Sequence, residues 1–221
     1  KGTVLPTSLE DKKLVALREN GEMLYCEAEI VELRSNVRIE RIYLVDQSVD
    51  RERFEALSLE EKRYYLERSH SFVEVSAGVK HALQQADIIV YSAGTQHSSL
   101  YPTYLSKGLA SAIADNKAAC KVFVTNIGAD YETPSYKASD YILGAFRYLN
   151  LSDHRTYTMP ELFNHVLVNE RRLKADETYV VFDRESFDAI PVPVVLGDFE
   201  SSSSPGKHDG AKVVETVLGL Y

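Results

Sequence analysis

The sequence predicts an α/β protein: a Rossmann-like parallel sheet in a three-layer architecture, entered through an N-terminal β-hairpin. Three observations carry this. Residues 86–126 read as strand, small-residue turn, helix and strand, which is one βαβ unit and therefore a right-handed crossover in a parallel sheet. Two further short apolar runs, at 163–169 and 192–196, have the β-branched character of strands buried on both faces. Residues 38–45 instead alternate polar and apolar, as a half-buried strand does.

The elements follow in order. Val4-Leu5-Pro6-Thr7 opens in extended form. Leu14-Val15-Ala16-Leu17 is a short strand that ends at the turn signal Glu19-Asn20-Gly21-Glu22, and residues 23–30 pair back to complete the hairpin. Residues 46–71 break the pattern. They are dense in charge between Arg51 and Arg68 yet carry Phe54, Leu57, Leu59, Tyr64, Tyr65 and Leu66, so a charged helical insertion lying largely on the surface is expected. A short helix over 79–86 leads into the strand Ile88-Ile89-Val90-Tyr91. The turn at 92–99 follows, then one helix over 100–114, from the spacing of Leu100, Tyr104, Leu105, Leu109 and Ile113, then a second buried strand at 121–126. Residues 128–134 are loop-like, and 136–149 is a helix started near Ser139 or Asp140. Strands are expected at 163–169 and 192–196, with 179–182 apolar again between them. Residues 201–206 are flexible by composition, and 213–220 is a closing helix. A single domain over 1–221 accommodates all of these.

Composition narrows the function. With 44% hydrophobic residues and a formal charge of -8 over 221 residues, the chain lacks the basic field that nucleic-acid binding or an anionic membrane surface requires. Cys26 and Cys120 are far apart and have no nearby His or Cys, so neither a zinc site nor a disulfide framework is expected. No apolar run reaches membrane-spanning length and no signal-like segment opens the chain, which makes the cytoplasm the default. The chain begins at Lys1 without Met, an expectation of processing or of an excised domain.

The chemistry centres on the turn at 92–99. Ligands of parallel sheets bind beyond the carboxyl ends of the strands, and a helix N-terminus there offers free N–H groups to an anion. Gly94 allows close backbone approach, and Ser92, Thr95, Ser98 and Ser99 add hydroxyls; plain helix capping is the alternative. His97 is either a general acid–base or phosphate-bonding group, or a capping, solvent-facing histidine. The turn is neither a Walker A loop nor a three-glycine dinucleotide fingerprint. Asn126 ends the next strand, and Asp130 and Glu132 in the following loop are candidates to hold a metal or orient a hydroxyl. Asn169, Arg171 and Arg172 follow the strand at 163–169; an arginine there clamps phosphate, or pairs on the surface with Asp176 or Glu177.

Taken together these residues resemble the CofD/YvcK family. Asp87-Ile88-Ile89-Val90, Gly94-Thr95, Ser98-Ser99-Leu100 and Pro102 match its central motif. The resemblance runs on through Asn126, Glu132-Thr133, Tyr136 and Ser139-Asp140, resumes at Asn169, and ends at His208-Asp209-Gly210-Ala211-Lys212. Val4-Leu5-Pro6 and the hairpin around Gly21 resemble the family's Val-Leu-Pro segment and its hairpin. Nearly the whole chain is covered. The resemblance implies one of two activities. One is a YvcK-like UDP-sugar-binding protein with a regulatory role in carbon metabolism or the cell envelope, with Tyr136 and either Arg171 or Arg172 on the ligand. The other is a 2-phospho-L-lactate transferase that moves a phospholactyl-type group from a nucleoside-diphosphate-linked donor, with Mg²⁺ held by Asp130 or Glu132. The chain departs from the family in reading Ser92-Ala93-Gly94 for the usual Gly-Pro-Gly or Gly-Pro-Ser. It also lacks the family's first glycine-rich unit, so truncation at the N-terminus is expected. A third reading is a folded fragment without ligand activity that forms a homodimer through its exposed sheet edge.

Overall fold

The computed structural model describes residues 2–32, 34–174 and 178–221. Its N-terminal part is a three-stranded antiparallel sheet. β1 (Lys13–Arg18) pairs with the short β2 (Met23–Leu24) and with β3 (Ile39–Val45). The hairpin is therefore present, but its second strand stops early. Residues 25–30 were expected to continue it and instead enter a helix, α1 (Glu27–Glu32). The reason is local: Glu and Ala favour helix, and the Glu29 carboxylate accepts the Tyr25 N–H at 2.8 Å, tying the chain into a turn.

Residues 46–71 are helical as expected, in α2 (Arg51–Glu55) and α3 (Leu59–Ser69), the latter opened by a Ser58–Glu61 capping box. They do not stand apart from the core, however. Val15, Leu17, Tyr43 and Val45 point from the sheet toward this pair and pack against Phe54 and Leu66. Alternate residues Ala16, Ile42 and Leu44 point the other way, into the main core. The period-2 pattern thus buries both faces, and the charged helices are the cover of one of them.

Next come β4 (Val73–Glu74), α4 (Ala77–Gln85) and β5 (Ile88–Tyr91). The helix expected over 100–114 is broken. A π-turn (Gln96–Leu100) runs into α5 (Tyr101–Tyr104), and β6 (Ser106–Lys107) interrupts before α6 (Leu109–Asp115). The break is tertiary in origin: β6 pairs in parallel with β4, which periodicity cannot foretell. Then follow β7 (Cys120–Val124), α7 (Ala138–Leu149), α8 (Met159–Leu162), β8 (His165–Asn169), α9 (Arg184–Phe187) and β9 (Val194–Gly197). The apolar residues 179–182 make isolated bridges, Tyr179 to Gly128 and Val181 to Lys137. The stretch read as flexible is a hairpin, β10 (Glu200–Ser201) and β11 (Ser204–His208), before the closing α10 (Gly210–Leu220).

The central sheet is parallel with order β5-β7-β8-β9. Ile89, Tyr91, Phe123, Val166 and Val168 face the larger core under α5, α6 and α7; Ile88, Val122, Val124 and Leu167 face Val213, Val217 and Leu220 of α10. Helices on both faces make the three layers. The N-terminal sheet is locked to this body by the buried Tyr148 hydroxyl, which accepts the Ile42 N–H at 3.0 Å, and by Arg38, which donates to the Ser135 carbonyl at 2.7 Å.

At the centre of the core the Tyr101 ring stacks on Tyr148 at 4.2 Å and reaches the backbone of Gly144 on α7. A Cβ at that position would lie 2.0 Å from the Tyr101 hydroxyl oxygen. Gly144→Ala is therefore expected to lower stability by about 3 kcal/mol, at the upper end of overpacking costs, and chemical denaturation reads it. An unchanged midpoint would contradict the packing described.

Candidate functional site

The rim beyond β5 and β7 is built from side chains that replace missing backbone pairs. Asn126 stands just past β7. Its side-chain carbonyl accepts the Gly94 N–H at 3.1 Å and its amide donates to the Gly94 carbonyl at 3.0 Å. This clamp adds one more rung to the β5–β7 pairing after the strands have ended. The buried Gln96 donates to the same Gly94 carbonyl at 2.8 Å.

The π-turn then presents the N–H groups of His97 and Ser98, the seat expected for a phosphate. A carboxylate of the chain already holds them. Glu132 accepts both N–H groups at 2.9 Å and the Ser98 hydroxyl as well, and it is only 3% exposed. Asp130 accepts the Glu132 N–H at 2.7 Å and sets the loop. Burial pushes both carboxyls above their ordinary range, with the bonds from Ser98 opposing it at Glu132. Both Glu132 oxygens are engaged, so Asp130 and Glu132 do not fit Mg²⁺ as a pair. Among the described residues no three His, Cys, Asp or Glu side chains group to hold a metal.

Beside this turn lies a cleft of about 460 Å³. Its walls are Ala93, Gly94 and Thr95 of the turn, Asn126 to Glu132 of the β7–α7 loop, Val31 of α1, and Gly206, Lys207 and His208 of the hairpin. The hairpin closes on the loop through two glycines. Gly128 donates its N–H to the Gly206 carbonyl at 3.1 Å, and a Cβ on Gly128 would meet that oxygen at 3.0 Å. The buried Glu200 carboxylate holds the hairpin by accepting the Gly206 N–H, the Tyr179 hydroxyl and the Leu173 N–H. Lys207 thereby faces the cleft; it enters no ion pair among the described residues, and its charge eases ionisation of Asp130. His208 is partly buried, which lowers its pKa, while a bond to the Thr125 backbone opposes that.

Of the residues singled out in the sequence, Gly94, Thr95, Asn126, Asp130 and Glu132 share this cleft. Ser92 is exposed outside it, and the Ser99 hydroxyl pairs with Thr95 at 2.8 Å. His97, expected as an acid–base group or a solvent-facing cap, is a core residue. It is 1% exposed, its ring sits edge-on to Tyr101 and Tyr136, and burial lowers its pKa to about 3. Tyr136 packs behind the turn beneath the Arg38 guanidinium, with burial raising its hydroxyl to about 12. Asn169 accepts the Phe199 N–H at 2.8 Å and donates to the Arg171 carbonyl; Arg171 pairs with Asp198 at 3.1 Å and Arg172 lies over the Tyr179 ring. These four side chains are absent from the cleft wall. The surface partners Asp176 and Glu177 lie outside the described residues. Sequence reasoning missed Val31, Tyr131, Gly206 and Lys207. The one signal was the adjacent His208-Asp209, whose Asp209 caps α10 by accepting the Ala211 and Lys212 N–H groups.

Known proteins resemble this chain in sequence and in fold. The family model described as "2-phospho-L-lactate transferase CofD" matches residues 1–200. A Thermotoga maritima protein named "Putative gluconeogenesis factor" is 29% identical over 98% of this chain and 62% of its own length. A Thermoanaerobacterium thermosulfurigenes protein of the same name is 28% identical over 99% of this chain and 61% of its own. The chain thus spans about three fifths of the length of these relatives. Among solved structures, a UPF0052-family protein from Bacillus halodurans superposes with a TM-score of 0.73 at 22% identity, covering 98% of this chain and 61% of that one, a likeness of fold. No described helix is long and apolar enough to cross a membrane.

The buried His97 has a thermodynamic signature. Folding lowers its pKa from 6.5 to about 3, so the unfolded chain takes up the proton first. The stability this ring contributes is present above pH 6.5 and is lost as pH falls toward 3. The stability gap between the wild type and His97→Asn, followed by urea denaturation, is expected to shrink by about 2 kcal/mol between pH 7 and pH 5. A gap that does not change with pH would contradict the burial of a neutral ring.

Proposed function

The chain belongs to the family described as 2-phospho-L-lactate transferase CofD, and on that premise we propose that it is a YvcK-like nucleotide-sugar-binding protein whose cleft takes the diphosphate of a UDP-sugar. The observation that carries this reading is Lys207. It is a cation without an ion-pair partner among the described residues, and it faces a cleft of about 460 Å³ beyond the carboxyl ends of a parallel sheet. That volume lies within the range of small-ligand sites, and the position is where such sheets bind ligands. Backbone groups of the Gly94 turn and of the Gly128 loop line the same cleft and suit a phosphate–sugar chain. Because Glu132 fills the π-turn, the diphosphate belongs at Lys207, with Gly94, Thr95 and Asn126 shaping the wall. The relatives' name, "Putative gluconeogenesis factor", supports a role in carbon metabolism; its regulatory character and a cytoplasmic location belong to the same proposal.

The family description favours a second reading, transfer of a phospholactyl-type group from a nucleoside-diphosphate-linked donor. Here Asp130, the cleft carboxylate whose second oxygen is not tied to Glu132, is the residue that would meet a Mg²⁺ brought in by the diphosphate. A homodimer on either reading pairs at the β5 edge, where Val90 is 46% exposed. Light scattering reads it.

Calorimetry with UDP-glucose, with and without Mg²⁺, tests the first reading. The wild type is expected to bind, and Lys207→Ala is expected to bind about 10- to 100-fold more weakly, the value of a charged hydrogen bond, with a shallower salt dependence. Binding without turnover supports the sensor; turnover of a nucleoside-diphosphate-linked donor supports the transferase. No binding of any nucleotide would sink both.

A further inference from the structure

The cleft that Lys207 enters has a second chemical character at its mouth. Tyr131 lines it and is 60% exposed, and Val31 of α1 lines it and is 48% exposed. Two large apolar side chains left open in one cleft stand out, because an exposed apolar pair in a concave surface is stabilised only when something covers it. The Tyr131 ring also has a cationic neighbour. The Arg34 guanidinium, just past α1, lies 3.9 Å from the ring centroid and covers part of one face. Asp130 anchors the backbone next to it through the Glu132 N–H, and Glu132 ties that loop to the π-turn. An exposed aromatic ring that shares its cleft with a cation lacking an ion pair among the described residues suits a ligand that joins a flat heteroaromatic ring to an anion.

From this we infer that Tyr131 is the platform on which the nucleobase stacks, with Val31 packing at the base edge and Arg34 against the ring. The inference rests on the nucleotide reading of the cleft and adds the residue that recognises the base. Stacking is tolerant of base identity because every base offers a π-face, so Tyr131 supplies affinity for nucleotides as a class. The diphosphate remains with Lys207. The two contributions are separable, because inorganic pyrophosphate has the second group and lacks the first.

Calorimetry on the full chain compares wild type, Tyr131→Ala and Tyr131→Phe, each with UDP-glucose and with inorganic pyrophosphate. Tyr131→Ala is expected to weaken UDP-glucose binding about ten-fold or more and to leave pyrophosphate unchanged, while Tyr131→Phe keeps the wild-type affinity within about two-fold. The chain has no Trp, so Tyr131→Trp gives a single reporter at the site, whose emission is expected to be quenched by UDP-glucose and unaffected by pyrophosphate. Equal UDP-glucose affinity for wild type and Tyr131→Ala overturns the inference alone. So does an equal loss for both probes, which would make the ring a support for the loop. A wild type that binds no UDP-glucose overturns this inference together with the reading beneath it.

Discussion

The Glu132 carboxylate reaches from the β7–α7 loop into the π-turn after β5 and accepts the N–H groups of His97 and Ser98 there. A carboxylate that accepts a turn's own N–H groups satisfies them as a bound anion would, although burial of the Glu132 carboxyl, which raises its pKa, offsets part of what those bonds contribute. Three consequences follow. The turn is closed on itself, so its serine hydroxyls serve the fold. The loop carrying Asp130 and Tyr131 is pinned against the sheet rim. The His97 ring is pressed into the tyrosines of the core, away from solvent. On the proposed reading, the charge that would meet an anionic ligand is Lys207, across the cleft at the hairpin.

That hairpin is organised the same way. Glu200 is nearly fully buried and takes the Gly206 N–H, the Tyr179 hydroxyl and the Leu173 N–H, so β11 presents Lys207 from a fixed backbone. These bonds hold its carboxyl below the usual range even though burial works against them. The N-terminal part contributes Val31 of α1 to the cleft wall. Arg38 bonds the Ser135 carbonyl and the Asp140 carboxylate, and Arg34 stacks on Tyr131, so the segment between α1 and β3 is joined to the loop before α7 at both arginines. The charged helices α2 and α3 support this from behind by covering the outer face of the N-terminal sheet.

The parallel sheet was legible because its strands are buried on both faces and announce themselves as short apolar runs. Ile88-Ile89-Val90-Tyr91 and the runs at 121–126, 163–169 and 192–196 all became strands. The failures have a common cause in contacts between distant residues. One helix over 100–114 was broken by β6 pairing with β4, and residues 25–30 became α1 because Glu29 caps Tyr25. At the site, the sequence identified Gly94, Thr95, Asn126, Asp130 and Glu132. It could not tell that Glu132 would satisfy the turn. It had no means of placing Lys207, which comes to the cleft through the Gly128–Gly206 contact, a pairing 78 residues apart in a stretch whose serines and glycine suggest only flexibility. Tyr136, Asn169, Arg171 and Arg172 follow strands or loops at the right rim, but their side chains are spent on Arg38, Phe199, Asp198 and Tyr179.

The central claim is that the chain's own carboxylate occupies the phosphate seat of the turn and sends the ligand's diphosphate to the hairpin. A crystal structure of the protein with UDP-glucose tests it most directly. The account predicts the diphosphate within hydrogen-bond reach of the Lys207 ammonium, with the bonds from His97 and Ser98 to Glu132 intact. A diphosphate seated on the His97 and Ser98 N–H groups, with Glu132 displaced, would contradict it.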